Sequence, residues 1–207
     1  VILSVDTSLG TAVALLGSDG SVVADLASDD ALGHAEAIGD LLQGALAAGI
    51  GEPITHVVAG MGPGPFTGLR IGIAAARAFA TGRGIPVVAV PSHLAAALTV
   101  LEADPQTGPF AILTDARRRE DAVTVFEGLD VDGIPHVVVD TVLTPRAEAD
   151  RRLGALRRIE TRTLSAAALA RIGRRAISAG RTLTGPEPLY LRAPDATIPG
   201  APEKVGA

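Results

Sequence analysis

The chain has 207 residues, a formal net charge of −5, 47% hydrophobic and 2% aromatic residues, and no cysteine. Its length allows a substantial core in one domain or in two small ones, the arrangement favoured here. The missing cysteines exclude disulfides, thiolate metal sites and a cysteine nucleophile, and the scarcity of rings argues against recognition by base stacking. No apolar run is long enough to span a bilayer and the opening Val1-Ile2-Leu3-Ser4-Val5-Asp6 reads as a strand, so the expected setting is cytoplasmic, with no membrane partner.

In chain order, Val1 to Asp6, Thr11 to Gly17 and Ser21 to Ser28 read as three strands. The last two are joined by a tight turn at Ser18-Asp19-Gly20. Apolar residues at helical spacing from His34 to Ala48 predict a helix ended by Gly49. His56 to Met61 follows as a buried strand, Gly68 to Gly82 as a helix, Pro86 to Val90 as a strand and Ser92 to Ala103 as a helix. This order, a meander followed by βαβ crossovers, gives a mixed sheet with helices on both faces, a ribonuclease-H-like topology. A second, coarser copy starts at Phe110, with strands at Ala111 to Asp115, Ala122 to Glu127 and Pro135 to Thr141, and a helix from Leu164 to Ala179. The polar, Pro-containing stretch 102–109 suits a boundary. The expected division is therefore residues 1–103, a smaller domain at 104–191, and an extended Pro-rich tail at 192–207 anchored by Tyr190 and Leu191.

The run Gly62-Pro63-Gly64-Pro65-Phe66-Thr67-Gly68-Leu69-Arg70-Ile71-Gly72 joins a strand to a helix through a rigid turn. With Thr67 as N-cap, the helix N-terminus would face the strand end as an anion site; the competing reading is a turn whose glycines serve packing alone. The candidate nucleotide- or anion-binding residues are Asp6, Thr7, Ser8, Gly62, Gly64, Phe66, Thr67, Gly68, Arg70 and Asp115. The helix from Gly68 is small and apolar nearly all round, with Arg70 and Arg77 as its polar line, which predicts a helix-mediated interface. The candidate interface residues are Ile38, Leu41, Leu42, Ala45 and Leu46 on one helix and Ile71, Ala74, Ala75 and Ala78 on the other. Charge is uneven: Arg151 to Arg181 holds nine arginines and a single acid, Glu160. This pattern suits a solvated face or a contact with phosphates.

Asp6-Thr7-Ser8, the Gly62 to Gly72 run, Thr114-Asp115-Ala116-Arg117-Arg118-Arg119-Glu120 and Pro188-Leu189-Tyr190-Leu191-Arg192 together resemble the TsaB (YeaZ) family of tRNA threonylcarbamoyladenosine biosynthesis proteins. The resemblance implies an α/β fold of two ribonuclease-H-like domains of the actin-like ATPase (ASKHA) superfamily, with mixed sheets flanked by helices. It implies a scaffold subunit that pairs with the paralogue TsaD, is joined by TsaE, forms a homodimer when isolated, and meets tRNA indirectly through the complex. ATP and metal would belong to TsaD, leaving this chain without a cofactor, metal or catalytic residues of its own. TsaD carries a His-x-x-x-His metal motif where this chain has His93-Leu94-Ala95-Ala96-Ala97, so the second ligand is missing. His34, His56 and His136 show no ligand spacing. Asp6 and Asp115 could face each other across an interdomain cleft as inherited geometry. The alternative reading, from another class, is a glycoprotease-like metallopeptidase or an actin-like phosphotransferase.

Overall fold

The structure, a computed structural model, describes residues 1–28, 34–49 and 51–192. The first sheet is built from β1 (Ile2–Asp6), β2 (Thr11–Leu16), β3 (Val22–Ser28), β4 (His56–Gly60) and β5 (Val87–Val90) in the order β3-β2-β1-β4-β5. Here β1 pairs antiparallel with β2 and parallel with β4. Every residue of β1 and β2 is buried, as befits central strands covered on both faces. The second sheet, from β6 (Phe110–Asp115), β7 (Glu120–Leu129), β8 (Pro135–Pro145) and β9 (Arg157–Glu160), runs β8-β7-β6-β9, the same order without a fifth strand.

Among the described residues five α-helices flank the sheets: α1 (His34–Ala48), α2 (Phe66–Arg83), α3 (Ser92–Ala103), α4 (Ala149–Leu153) and α5 (Ala166–Ser178). Strand alternation sorts the first sheet's side chains onto two faces. Leu3, Val5, Val13, Leu15, Val57 and Ala59 pack with Ile38 and Ala45 of α1 and Leu69, Ile73, Ala76 and Ala80 of α2. Ile2, Leu16 and Val58 point the other way, into a core shared with α3, α5 and Phe110, Ile112 and Phe126 of the second sheet. Ala111, Leu113 and Val125 on the far face of that sheet meet Leu153 of α4. The layers are thus α1/α2, sheet, α3/α5, sheet, α4.

The middle helices lie crosswise to chain order. Helix α5, last in sequence, packs on β1 and β2, with Ala166 and Ala167 against Ala12 and Ala14. Ser4 Oγ on β1 donates to the Ala166 carbonyl at 2.6 Å. Helix α3, which follows the first sheet, touches β6, β7 and β8.

Several element ends differ from expectation. Helix α2 starts at Phe66 with Pro65 at the N-cap and no side-chain cap, so Thr67 lies inside the first turn and does not cap it. Strand β8 runs on to Pro145, and α4 and β9 occupy a stretch the sequence reading left empty. Strand β9 reads Arg-Arg-Ile-Glu with only Ile159 half-buried; an exposed edge strand of this composition has no apolar alternation to announce it. The proposed tail beyond residue 192 lies outside the described residues.

The α5 to sheet contact depends on a missing side chain. A Cβ at Gly173 would stand 2.3 Å from Cγ2 of buried Val58. Gly173→Val is expected to destabilise the protein by about 1–3 kcal/mol through overpacking, a fall of roughly 3–10 °C in Tm for a domain of this size. Gly82→Ala, on α2 with no atom within 4 Å of the new methyl, is expected to stabilise by about 0.5–1 kcal/mol. Calorimetry of the two variants checks both signs.

Candidate functional site

The carboxyl end of β1, the β4–α2 turn and the start of α3 converge on Asp6. Its carboxylate is almost fully buried, and both oxygens are engaged. The Ser8 backbone N–H donates to Oδ1 at 2.7 Å and the Ser92 hydroxyl donates to Oδ2 at 2.6 Å. The Ser8 hydroxyl lies within reach of both Oδ1 and Ser92 Oγ. Ser92 in turn holds both backbone polar groups of Gly62: its Oγ accepts the Gly62 N–H at 3.0 Å, and its N–H donates to the Gly62 carbonyl at 2.8 Å. Burial pushes the Asp6 carboxyl above its ordinary value, and the hydrogen bonds from Ser8 and Ser92 partly offset that.

The glycines around this knot serve close approach. A Cβ on Gly60 would stand 1.9 Å from Asp6 Oδ2, and one on Gly72 would stand 2.1 Å from Thr7 Oγ1. Thr7 Oγ1 donates to the Gly68 carbonyl at 2.7 Å, tying the β1–β2 loop to α2. Gly64 sits directly against Ser8. Asp6, Thr7, Ser8, Gly62, Gly64 and Gly68 are therefore brought together, as a packed junction of the chain with itself. Thr67 and Arg70 lie outside it on the exposed side of α2. Phe66 and Arg70 meet Tyr190 instead: the rings are 4.5 Å apart, and Arg70 Nε donates to the Tyr190 hydroxyl at 3.0 Å. Arg77 donates to the Pro186 carbonyl and Leu189 N–H to the Met61 carbonyl, so α2's polar line straps down residues 186–190.

Asp115 does not face Asp6. It is exposed, pairs with Arg146 at 2.9 Å, and lines a cleft of about 660 Å³ whose wall on the first-domain side is Leu9. Asp121, Glu160, Arg158 and Arg162 line the same cleft. The expected pair of carboxylates across an opening is corrected: Ser8 and Ser92 close over one of them.

His93, one residue on from Ser92, is sealed between the sheets. Nδ1 lies 2.7 Å from Thr124 Oγ1 and Nε2 lies 3.0 Å from Thr114 Oγ1. Thr124 passes the chain on to Thr141 at 2.7 Å. Burial holds the imidazole neutral, its pKa lowered to about 3. Sequence reasoning singled out neither Ser92 nor the threonines; a Pro-Ser-His helix start reads as a cap, and only the fold brings β6 and β7 against it.

The turn from β6 to β7 is unusual. Arg117, Arg118 and Arg119 all have positive φ, at 62°, 53° and 61°. For non-glycine residues this costs roughly 1–2 kcal/mol each. The turn is held by Ala116 N–H to the Glu120 carbonyl and Glu120 N–H to the Arg117 carbonyl, both at 3.0 Å, and by Arg146 N–H to the Arg119 carbonyl at 2.9 Å.

The candidate interface residues divide by exposure. Ala74 and Ala78 are exposed, and Ile71, Ala75, Leu41, Leu42 and Leu46 are half-buried, which leaves a surface of small apolar side chains on α2 beside α1. Ile38 and Ala45 are corrected: they are buried in the chain's own core beneath α1.

Among the described residues no three His, Asp or Glu side chains cluster as a metal site would require, and no helix is long and apolar enough to cross a membrane. The model of the TsaD family, described as tRNA N6-adenosine threonylcarbamoyltransferase, matches residues 19–133. An uncharacterized protein of Mycobacterium leprae is 37% identical over 126 residues, 58% of this chain and 33% of its own length. One from Mycobacterium tuberculosis is 38% identical over 123 residues, 58% of this chain and 56% of its own. The chain thus spans about a third to just over half of these curated relatives. Among solved structures, YeaZ from Pseudomonas aeruginosa superposes with a TM-score of 0.75 at 22% identity, covering 92% of this chain and 99% of that one, so the fold is shared.

Two outcomes test the junction. Ser92→Ala leaves Asp6 Oδ2 and the Gly62 N–H without their partner, and is expected to cost about 2–4 kcal/mol in urea unfolding. His93 is neutral when folded, and its depressed pKa contributes stability that is complete above the ordinary value of 6.5 and is lost as pH falls from there toward about 3. The loss is about 1.4 kcal/mol per pH unit over that window. Asp6, with a raised pKa, acts in the opposite sense and loses its contribution as pH rises. Since it is present in both proteins, the difference between wild type and His93→Gln isolates the histidine. The variant is expected to flatten the acid limb of the stability–pH curve.

Proposed function

The chain belongs to the TsaD family of tRNA N6-adenosine threonylcarbamoyltransferases, and from that premise we propose that it serves in threonylcarbamoylation of tRNA adenosine as a non-catalytic partner of the transferase. The observation that carries this reading is the closure of Asp6. A carboxylate at the end of the first strand is where an actin-like enzyme would hold a nucleotide's metal. Here Ser8 and Ser92 take both of its oxygens and exclude solvent from it. His93 is likewise taken by Thr114 and Thr124.

The likeness in fold to YeaZ supports the scaffold reading. On this proposal a TsaD-type transferase covers the face of Ile71, Ala74, Ala75 and Ala78. A second copy of the chain covers it when the transferase is absent, and TsaE joins the assembled pair. ATP and metal are bound by the transferase, tRNA is engaged through the complex, and the whole works in the cytoplasm. The small side chains let a partner helix approach closely, and Leu41, Leu42 and Leu46 add apolar area beside them.

Ala78 is exposed, so Ala78→Glu is expected to leave Tm unchanged. In the complex the same change buries an unpaired charge, which costs several kcal/mol, and co-purification with the TsaD-type transferase should weaken roughly 30-fold or more. Undiminished capture by titrated pull-down would sink the interface assignment.

A further inference from the structure

We propose that the β6–β7 turn, Arg117 to Arg119, together with Arg162, is a contact for the phosphodiester backbone of RNA. The proposal rests on the reading of the chain as part of a tRNA-modifying assembly and adds to it a direct contact made by this subunit.

The first observation is which arginines are already engaged. The basic segment that stands out in the sequence is largely self-neutralised. Arg151 and Arg152 pair with Glu148, Arg158 with Asp150, Arg171 and Arg175 with Glu102, and Arg181 with Asp130 and Asp132. Arg146 and Arg192 neutralise the acids of the β6–β7 hairpin, Asp115, Asp121 and Glu120. Arg117, Arg119 and Arg162 are exposed and have no ion pair among the described residues. These three lie at one end of the second sheet. Parallel pairing of β6 with β9 and the bond from Thr161 N–H to the Leu113 carbonyl, 2.8 Å, set Arg162 beside the strand end that leads into the turn.

The second observation is the backbone. Three successive non-glycine residues with positive φ form a strained turn that Gly or Asn would adopt more readily. Hydrogen bonds from both strands and from Arg146 hold it in place. Strain retained in an exposed turn with side chains of one charge points to what those side chains bind.

The geometry also selects the ligand. The arginines of the turn and Arg162 are spread along one end of the second sheet. They suit an extended polyanion whose phosphates follow one another along a strand. Arginine contacts to phosphates position RNA without reading its bases. Since the protein carries a net charge of −5, the attraction is local and salt-sensitive.

The test uses the full chain with a fluorescein-labelled, unmodified tRNA transcript, its anisotropy followed as salt rises from about 50 to 200 mM. Two double variants are compared: Arg117→Gln with Arg119→Gln, and Arg117→Asn with Arg119→Gly, which suits the backbone. Both are expected to bind roughly tenfold or more weakly at the low-salt end and to lose about 1.4–1.8 units from the slope of log affinity against log salt. The Asn/Gly variant should also melt higher than wild type, which separates lost binding from lost folding. Arg151→Gln with Arg152→Gln, a change to paired arginines, should leave the slope as it is. No binding by the wild type, an unchanged slope in either turn variant, equal loss in the control, or displacement by tripolyphosphate at the same phosphate concentration as RNA would each overturn the proposal. Capture of the transferase, measured on the same variants, should persist; its failure in the wild type counts against the functional reading and not against this contact.

Discussion

A buried carboxylate that cannot reach water must be supplied with donors by the protein, and Asp6 draws its donors from two other parts of the chain. Ser8 comes from the loop after β1 and Ser92 from the first turn of α3, and Ser92 also fixes Gly62 at the mouth of β4. Three segments distant in sequence are thus joined at the end where strands of an open α/β sheet present their ligands. Those bonds engage both oxygens of the carboxylate. Gly60, Gly64 and Gly72 are spent on the approach of Asp6, Ser8 and Thr7. What began in the sequence as a glycine-rich cradle is a closed seam.

The two sheets share a core and a hydrogen-bonded seam. Ser92 faces the first sheet while its neighbour His93 reaches Thr114 and Thr124 of the second, so the opening residues of one helix serve both halves. Phe110 and Phe126 stack at 5.9 Å in the core that α3 and α5 share. At the surface, Arg192 reaches the Ala116 carbonyl at 3.0 Å, close to where the strap over α2 ends. Core, seam and surface thus each join the two sheets.

How much was legible in the sequence follows from which interactions are local. Helix α1 read true because its apolar spacing and its Gly49 border are signals within a few residues. The Ser18-Asp19-Gly20 turn read true because it depends on Gly20 at φ 89°. Strand β9 was missed since its evidence is the pairing with β6, not its own side chains. Thr67 was misplaced because a threonine beside a helix start looks like a cap wherever Pro65 lets the helix begin earlier. Ile38 and Leu42 are alike on paper, yet one is covered by the first sheet and the other is half open; periodicity gives the stripe but not its edge. Asp6 was visible as a residue of interest, whereas its closure by Ser92, 86 positions later, was not.

Helix α5 has a consequence for how the protein is made. Translation delivers β1 to β9 by Glu160, but the face of the first sheet carrying Ile2, Leu16 and Val58 lacks part of its cover until residues 166–178 have followed. Until the ribosome has added α5, the nascent chain displays an apolar strand surface, the condition under which chaperones engage and misassembly begins. Vectorial synthesis therefore cannot finish the amino-terminal half before α5 has been made.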